Sequence, residues 1–393
     1  MPPSLDDLRA CPNALAPHYS AFRVDERLLL TGHSHQAWPD VGFEGQKQAW
    51  LDAAEHADGK WDAVTLETDR VSEGFRRLMG GCDGDMTLDG NTHALVVRLI
   101  SALPLRERPR IVTTDGEFHS IRRQLDRLAE EGLEVVKLTS DPAATLAERV
   151  AAEVDERTAC AMISSVLFET GLIVPHLPVV AEACVRHGAE LLIDAYHSLG
   201  VVPFSLHGME NAFVVGGGYK YCQLGEGNCV LRVPPDCALR PVVTGWFSEY
   251  AELAEERTPG TLRYGDGAAR FAGSTFDPTS AYRGAEVFEF FLDQGLTADF
   301  LREVSQHQIG LLADTFEALD LDPRQAGLDS IALEDRAGFL SIRAPEAGAL
   351  SAALLERGVR TDSRGSVLRF GPAPYHTDEQ LVAAMRALGD VVR

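Results

Sequence analysis

Leu191-Leu192-Ile193-Asp194-Ala195-Tyr196-His197 and, after a short interval, Ala212-Phe213-Val214-Val215-Gly216-Gly217-Gly218-Tyr219-Lys220-Tyr221 decide how this chain folds. Each begins with an apolar run too short for a helix and long enough for a strand buried on both faces. The first run ends in an acid with a histidine three residues on; the second opens into glycines and a lysine between two tyrosines. Moving outward, Arg110-Ile111-Val112-Thr113-Thr114 is another β-rich run. It is followed by Ser120 to Glu131, where Ile121, Leu125 and Leu128 recur at helical spacing between charged residues. The alternation continues through 134–138, 146–153, 159–166 and 179–187. Short buried strands separated by helices imply parallel βαβ crossovers in an α/β layer structure.

From residue 281 the texture changes. A long helical stretch, 281–294 and then 298–319, precedes a tail with the β-rich runs 338–342 and 368–370. The spacing predicts two domains: a large α/β domain over 45–280, with a mostly parallel sheet flanked by helices, and a smaller α+β domain assembled from 1–44 and 281–393. Residues 255–280, rich in Gly, Thr and Pro without apolar periodicity, read as an excursion of the large domain.

The whole-chain numbers bound the function. A length of 393 residues suits two or three domains, and 45% hydrophobic with 24% charged residues is ordinary globular composition. The formal net charge of −23 argues against a broad phosphate-neutralising surface, so nucleic acid is a poor partner. The seven cysteines are scattered and never form a CxxC pair, which fits a reduced cytoplasmic compartment. The N-terminus is acidic and broken by prolines, unlike a signal peptide, and no apolar run reaches membrane-spanning length.

An aspartate and a lysine at the carboxyl ends of neighbouring strands stand where open α/β sheets bind ligands. They are also the two groups that pyridoxal phosphate needs. The amine forms a Schiff base, and the carboxylate keeps the pyridinium nitrogen protonated so that the ring can draw electrons. Taken singly, Asp194 could be a helix cap and Lys220 a loop lysine; the joint spacing and glycine context favour the cofactor. Rival phosphate motifs fail: G-x-G-x-x-G from Gly216 meets Tyr221, from Gly225 it meets Val230, and Gly59-Lys60 is followed by Trp61 rather than Ser or Thr. His33-Ser34-His35 lacks further ligands at zinc spacing.

Asp194-x-x-His197 followed by Tyr219-Lys220-Tyr221 and Gly225-x-Gly227 resembles the cofactor signature of the fold-type I pyridoxal-phosphate enzymes of the class V aminotransferase group, and within it the kynureninases. The resemblance runs in order from about residue 27 to 376. It implies a homodimeric hydrolase that cleaves the Cβ–Cγ bond of L-kynurenine or a related γ-keto amino acid, giving alanine and an aromatic acid such as anthranilate. Lys220 is then the Schiff-base lysine, Asp194 the pyridinium partner, His197 a neighbour of the cofactor, and Tyr219 a phosphate ligand and proton carrier. Asn91 and Thr92, at a turn entering a helix, match the phosphate-cupping segment, since helix N-termini offer free N–H groups. Phe118 matches the aromatic that stacks on the ring. Gly245-Trp246-Phe247 resembles a segment whose tryptophan reaches a phosphate across the dimer interface while the phenylalanine faces substrate, and Ser274 and Thr275 lie in another crossing segment. Arg369 matches the arginine that grips the substrate carboxylate, for which a guanidinium fork is suited. His56 and His33 match positions beside the substrate.

Three departures bear on the substrate. Gly32-His33-Ser34-His35 stands where the family has Gly-Asn-Ser-Leu-Gly, Glu169 where tyrosine or arginine precedes Thr-Gly, and Pro374-Tyr375-His376 where Pro-Leu-Tyr is usual. The alternative is another class V reaction: a β-eliminating lyase, an aminotransferase, or a desulfurase, for which Cys222 and Cys229 follow the lysine too closely to convince. A non-catalytic sensor would not need Lys220, Asp194 and Arg369 together.

Overall fold

The structure, a computed structural model, describes residues 2–253 and 260–393, with the side chains of 251 and 252 left aside. Twelve strands are found among them: β1 Leu28–Leu29, β2 Asp85–Asp89, β3 Arg110–Thr114, β4 Glu134–Leu138, β5 Thr158–Ser164, β6 Glu190–Asp194, β7 Phe213–Gly217, β8 Cys229–Val233, β9 Leu340–Arg343, β10 Val359–Arg360, β11 Asp362–Arg364 and β12 Val367–Phe370. The helices are α1 Leu5–Arg9, α2 Val41–His56, α3 Trp61–Leu78, α4 Thr92–Ala102, α5 His119–Glu130, α6 Leu146–Glu153, α7 Pro178–His187, α8 Thr279–Asp293, α9 Ala298–Glu317, α10 Ala347–Glu356 and α11 Asp378–Val392.

Seven strands form the main sheet in the order β2-β8-β7-β6-β5-β3-β4. The five from β4 to β7 are parallel, and β8 runs against both β7 and β2. The expected mostly parallel sheet is therefore present. The reversal at β8 follows from chain length, because the loop 218–228 is too short for a crossover helix and permits only a hairpin-like return. β2 and β8 had no strand assignment from sequence.

Alternate residues of the central strands feed the two faces. Ile111, Met162, Leu192, Phe213 and Val215 pack with Leu95, Leu99, Ile121 and Leu125 of α4 and α5. Val112, Ile163, Ile193 and Val214 pack with Val150 and Val180 of α6 and α7, and with Phe75 of α3 and Phe288 of α8. Each such side chain contributes about 1.5–3 kcal/mol when taken fully from water. The strands are apolar on both faces because both faces are covered.

A second sheet, β11-β12-β9, is antiparallel and sits Asp362 directly opposite Arg369. Its core joins Ile342, Leu368 and Phe370 to Ile309, Leu312 and Met385 of α9 and α11. The chain's beginning meets this part: β1 pairs in parallel with β10, and Thr31 bridges to Gly371. The division expected at 280/281 falls inside α8, whose Phe288 and Phe291 belong to the core of the main sheet. Of the expected excursion 255–280, residues 255–259 lie outside the described residues; further on, Phe271 packs edge-on to Phe213 at 5.8 Å.

Candidate functional site

The strand order reverses direction at β3: the chain goes out to β4 and returns on the other side of β3 with β5. Open α/β sheets bind ligands outside the carboxyl ends of their strands at such a point. A cavity of about 230 Å³ opens there, and its lining includes Asn91, Thr92, Phe118, Ser164, Asp194, Tyr196, His197, Tyr219, Lys220 and Cys229. Seven of the residues singled out from sequence, Asn91, Thr92, Phe118, Asp194, His197, Tyr219 and Lys220, are thus brought to one place by four different strand ends.

Lys220 is buried, and its Nζ lies 2.5 Å from His197 Nε2 and 4.8 Å from the centre of the Tyr196 ring. Burial pushes its ammonium down to about 7, with Asp194 opposing and Arg369 reinforcing the shift. The chain has four lysines, Lys47, Lys60, Lys137 and Lys220, and only Lys220 is buried. Asp194 is held at the end of β6, where its Oδ1 accepts the Tyr196 N–H at 2.9 Å. Burial raises its pKa, while that hydrogen bond and Lys220 oppose the rise. His197 is driven well below its usual range by burial and stays neutral, and its Nδ1 is buried with no hydrogen-bond partner.

Across the cavity, Asn91 caps α4 by accepting the Ala94 N–H at 2.9 Å. The buried Thr92 hydroxyl has no oxygen or nitrogen partner, its polar neighbour being the Cys229 thiol. An unpaired hydroxyl at the first turn of a helix, with the N-terminal N–H groups around it, fits a phosphate. Phe118, half-buried, lies 5.3 Å from Lys220 Nζ and edge-on to Phe168. Tyr219 is stacked on His35 at 4.8 Å, and burial raises its pKa. The residues present therefore suit pyridoxal phosphate: a buried amine, a buried carboxylate, a flat apolar side and a polar helix end.

The other candidates lie apart. Arg369 and His33 are buried in a network outside the lining of the cavity. Arg369 Nε and Nη2 donate to both oxygens of Asp362 at 2.8 and 2.6 Å, and its Nη1 donates to the Phe168 carbonyl at 2.6 Å. His33 Nε2 contacts Asp362 Oδ1 at 2.8 Å, and burial lowers its pKa to about 4. His35 instead approaches Glu226 at 3.4 Å, so the two histidines serve different neighbours. Trp246 and Thr275 touch through a 3.3 Å hydrogen bond, and Phe247 packs against Trp246 and Trp61 in an exposed aromatic cluster. His56 is exposed at the end of α2, and Ser274 is exposed. None of these five lines the cavity of its own chain. Glu169, one of the three departures, is exposed and outside the lining too.

Sequence reasoning passed over Tyr196, Ser164, Glu117 and Asp362. Tyr196 lies inside the quoted aspartate–histidine run and Ser164 ends a strand that was recognised, so position alone could have suggested both. Glu117 adjoins Phe118, whereas Asp362 becomes visible only through β11–β12 pairing.

The fold is shared with solved structures of pyridoxal-phosphate enzymes. C-DES with glycine covalently linked to its PLP cofactor superposes with a TM-score of 0.81 at 16% identity, covering 95% of this chain and 98% of that one. A cysteine desulfurase from Thermococcus onnurineus NA1 gives 0.78 at 15% identity, covering 94% and 95%. Residues 86–299 match the Aminotransferase class-V family model and residues 301–388 the Kynureninase C-terminal domain model. The chain belongs to the class V aminotransferase family, and its cofactor is pyridoxal phosphate. Among curated proteins, the kynureninase of Pseudomonas fluorescens is 27% identical over 97% of this chain and 93% of its own length. The isopenicillin N epimerase of Streptomyces clavuligerus is 29% identical over 79% of this chain and 81% of its own.

Among the described residues no helix is long and apolar enough to cross a membrane.

Proposed function

We propose that this chain is a pyridoxal-phosphate-dependent hydrolase of the kynureninase type, taking L-kynurenine or a related γ-keto amino acid to L-alanine and an aromatic acid such as anthranilate. The observation that carries this reading is the match of residues 301–388 to the kynureninase C-terminal domain, together with a kynureninase aligned over 97% of the chain. That C-terminal region contains Arg369, the proposed carboxylate ligand.

When bound, the cofactor supplies a carbonyl carbon for the amine and a ring that withdraws electrons from the substrate α-carbon. Burial lowers the Lys220 pKa to about 7, so its amine would be available near neutral pH to hold the cofactor and to take the substrate α-proton. Asp194 would hold a proton at the cofactor's ring nitrogen, and Phe118 would supply an apolar face for the ring. Asn91, Thr92, Tyr219 and the N–H groups of α4 take the phosphate. Arg369 uses three of its five N–H groups on Asp362 and Phe168, which leaves two for a substrate carboxylate. Tyr219, whose ring centre lies 5.9 Å from Lys220 Nζ, would serve as a proton carrier beside the lysine. Water then adds to the γ-carbonyl, the Cβ–Cγ bond breaks, and the two products leave.

The exposed aromatic cluster supports a homodimer in which Trp246, Phe247, Ser274, Thr275 and His56 complete the site of a second copy. The small domain would combine the two chain ends, 1–44 and 281–393, which β1 and β10 tie together. The net charge and the reduced cysteines fit a cytoplasmic amino-acid catabolic enzyme of tryptophan degradation. A desulfurase reading is weakened at Cys229: its thiol is buried on β8 and pushed up by burial, unlike a mobile nucleophile. The epimerase relative keeps a second class V reaction in view, so the test is a panel. Cofactor-loaded protein is given L-kynurenine, its ring-hydroxylated analogue, cystine and a plain amino acid. Anthranilate fluorescence with equimolar alanine supports the hydrolase; pyruvate and cysteine persulfide from cystine, or conversion of the cofactor to its amine form without anthranilate, would replace it.

A further inference from the structure

Glu117 is a buried carboxyl group that no role above employs. It lies between β3 and α5, next to Phe118. Thr114 Oγ1 donates to its Oε1 at 2.6 Å, the Ser164 N–H donates to the same oxygen at 3.2 Å, and Ser164 Oγ lies 2.6 Å from Oε2. Ser164 lines the cavity and pairs in register with Asp194. Glu117 follows β3 and Asp194 ends β6, so two carboxyl groups flank Ser164 of the intervening strand β5.

A serine hydroxyl has one hydrogen to give. With Glu117 ionised, its Oε2 carries no hydrogen, so the Ser164 hydrogen must lie between the two oxygens and the cavity meets only Ser164 lone pairs. With Glu117 protonated, Oε2–H donates to Ser164 Oγ and the serine hydrogen is released toward the cavity. We infer that Glu117 is a positioning residue whose own protonation sets whether Ser164 offers the bound cofactor a hydrogen-bond donor or an acceptor. This rests on the cofactor placement proposed above.

The surroundings of Glu117 pull its proton in both directions. Burial favours the protonated form, the three hydrogen bonds from Ser164 and Thr114 favour the ionised form, and Asp194 disfavours a second negative charge; the balance stands at about 7. The titratable groups lining the same pocket are His93, Asp194, Tyr196, His197, Tyr219, Lys220, Glu226 and Cys229. Asp194 acts on Glu117 directly.

Glu117→Gln fixes one state. Its amide oxygen still accepts from Thr114 and the Ser164 N–H, and its NH₂ donates to Ser164 Oγ at every pH. Two measurements follow. In cofactor-free protein with ¹³C-carboxyl-labelled glutamate, the resonance lost in Glu117→Gln should titrate near neutrality, apart from the other glutamates. In cofactor-loaded protein, absorbance against pH should show a step with that midpoint; Glu117→Gln should lack it and keep the wild-type low-pH spectrum throughout. Glu117→Ala, which strands the Ser164 groups, should weaken cofactor binding by about tenfold. If Glu117→Gln fails to fold, Ser164→Ala replaces it; Glu117 should then still titrate, at higher pH because the Ser164 hydroxyl no longer favours its ionised form, while the spectral step is lost. A Glu117 resonance that titrates with the exposed glutamates, or a spectral step unchanged in both variants, overturns the inference. Failure of the cofactor placement would be seen separately, as retention of the cofactor bond in Lys220→Ala.

Discussion

Replacing Asp362 by Asn removes one charge and little volume from the most buried ion pair of the small domain. The Arg369 side chain is 3% exposed and that of Asp362 17%, so solvent screens the pair poorly. Asp362 accepts two hydrogen bonds from the Arg369 fork and contacts His33. Asn keeps one acceptor but turns an NH₂ toward Arg369 Nη2, leaving a buried guanidinium without a counter-charge. Breaking one side of such a pair costs about 3–5 kcal/mol, against about 0–1 kcal/mol for a surface pair. The pH window follows from the Asp362 pKa. Burial alone would raise it, but the hydrogen bonds from His33 and Arg369 outweigh burial and hold the carboxyl well below the usual range. A depressed acid stabilises the fold above its unfolded pKa of about 3.9, and that contribution is lost as pH falls through the folded value. The difference between wild type and Asp362→Asn should therefore be full at pH 7 and shrink below about pH 4. Urea unfolding of cofactor-free protein, followed by circular dichroism, measures it. Asp362→Leu combined with Arg369→Met should cost less than the two single changes added together, because no charge is left stranded. A cost under about 1 kcal/mol for Asp362→Asn, or strict additivity in the double variant, would refute the reasoning.

Three further outcomes are expected. Thr92→Val, which removes the unpaired hydroxyl at the start of α4, should weaken cofactor and inorganic phosphate binding by about tenfold in equilibrium dialysis while leaving thermal stability near wild type. Gly217→Ala would place a Cβ 2.1 Å from the Tyr196 hydroxyl, so it should lower the melting temperature and loosen the cavity, at a cost of about 1–3 kcal/mol. Trp246→Ala should shift a dimer toward monomer in sedimentation velocity, since Trp246 and Phe276 are 42% and 40% exposed on a single chain; a wild type that stays monomeric at every concentration would remove the shared-site reading.

Much of the site was legible because its chemistry sits at strand ends, and strand ends are marked in sequence by an apolar run giving way to Asp194 or to Gly216-Gly217-Gly218. Period and burial agree there, so local reading and fold coincide. β8 escaped because Cys229–Val233 follows the lysine loop closely and bears Arg232, which reads as exposed. The structure buries that side chain by giving its N–H groups to the carbonyls of Asp83, Glu210 and Ala212. β2 is short, carries acids at both ends and has its pairing supplied by β8, a neighbour far along the chain. Asp362 and Glu117 were missed for the same reason. A buried carboxyl is defined by its partners, Arg369 and His33 for one and Ser164 for the other, and no spacing rule in one sequence names them. The Gly32-His33-Ser34-His35 departure is likewise resolved only by the fold, which sends His33 inward to Asp362 and His35 outward to Tyr219.

The central claim is that Lys220 holds pyridoxal phosphate in the cavity between Asp194 and the start of α4. Borohydride reduction of the cofactor-loaded protein, followed by peptide mass mapping, tests it most directly, because reduction fixes the cofactor to whichever lysine carries it and the chain has only four. The account predicts the phosphopyridoxyl mass on the peptide containing Lys220 and none on those containing Lys47, Lys60 or Lys137. Label on one of those three, or full labelling of Lys220→Ala, would contradict it.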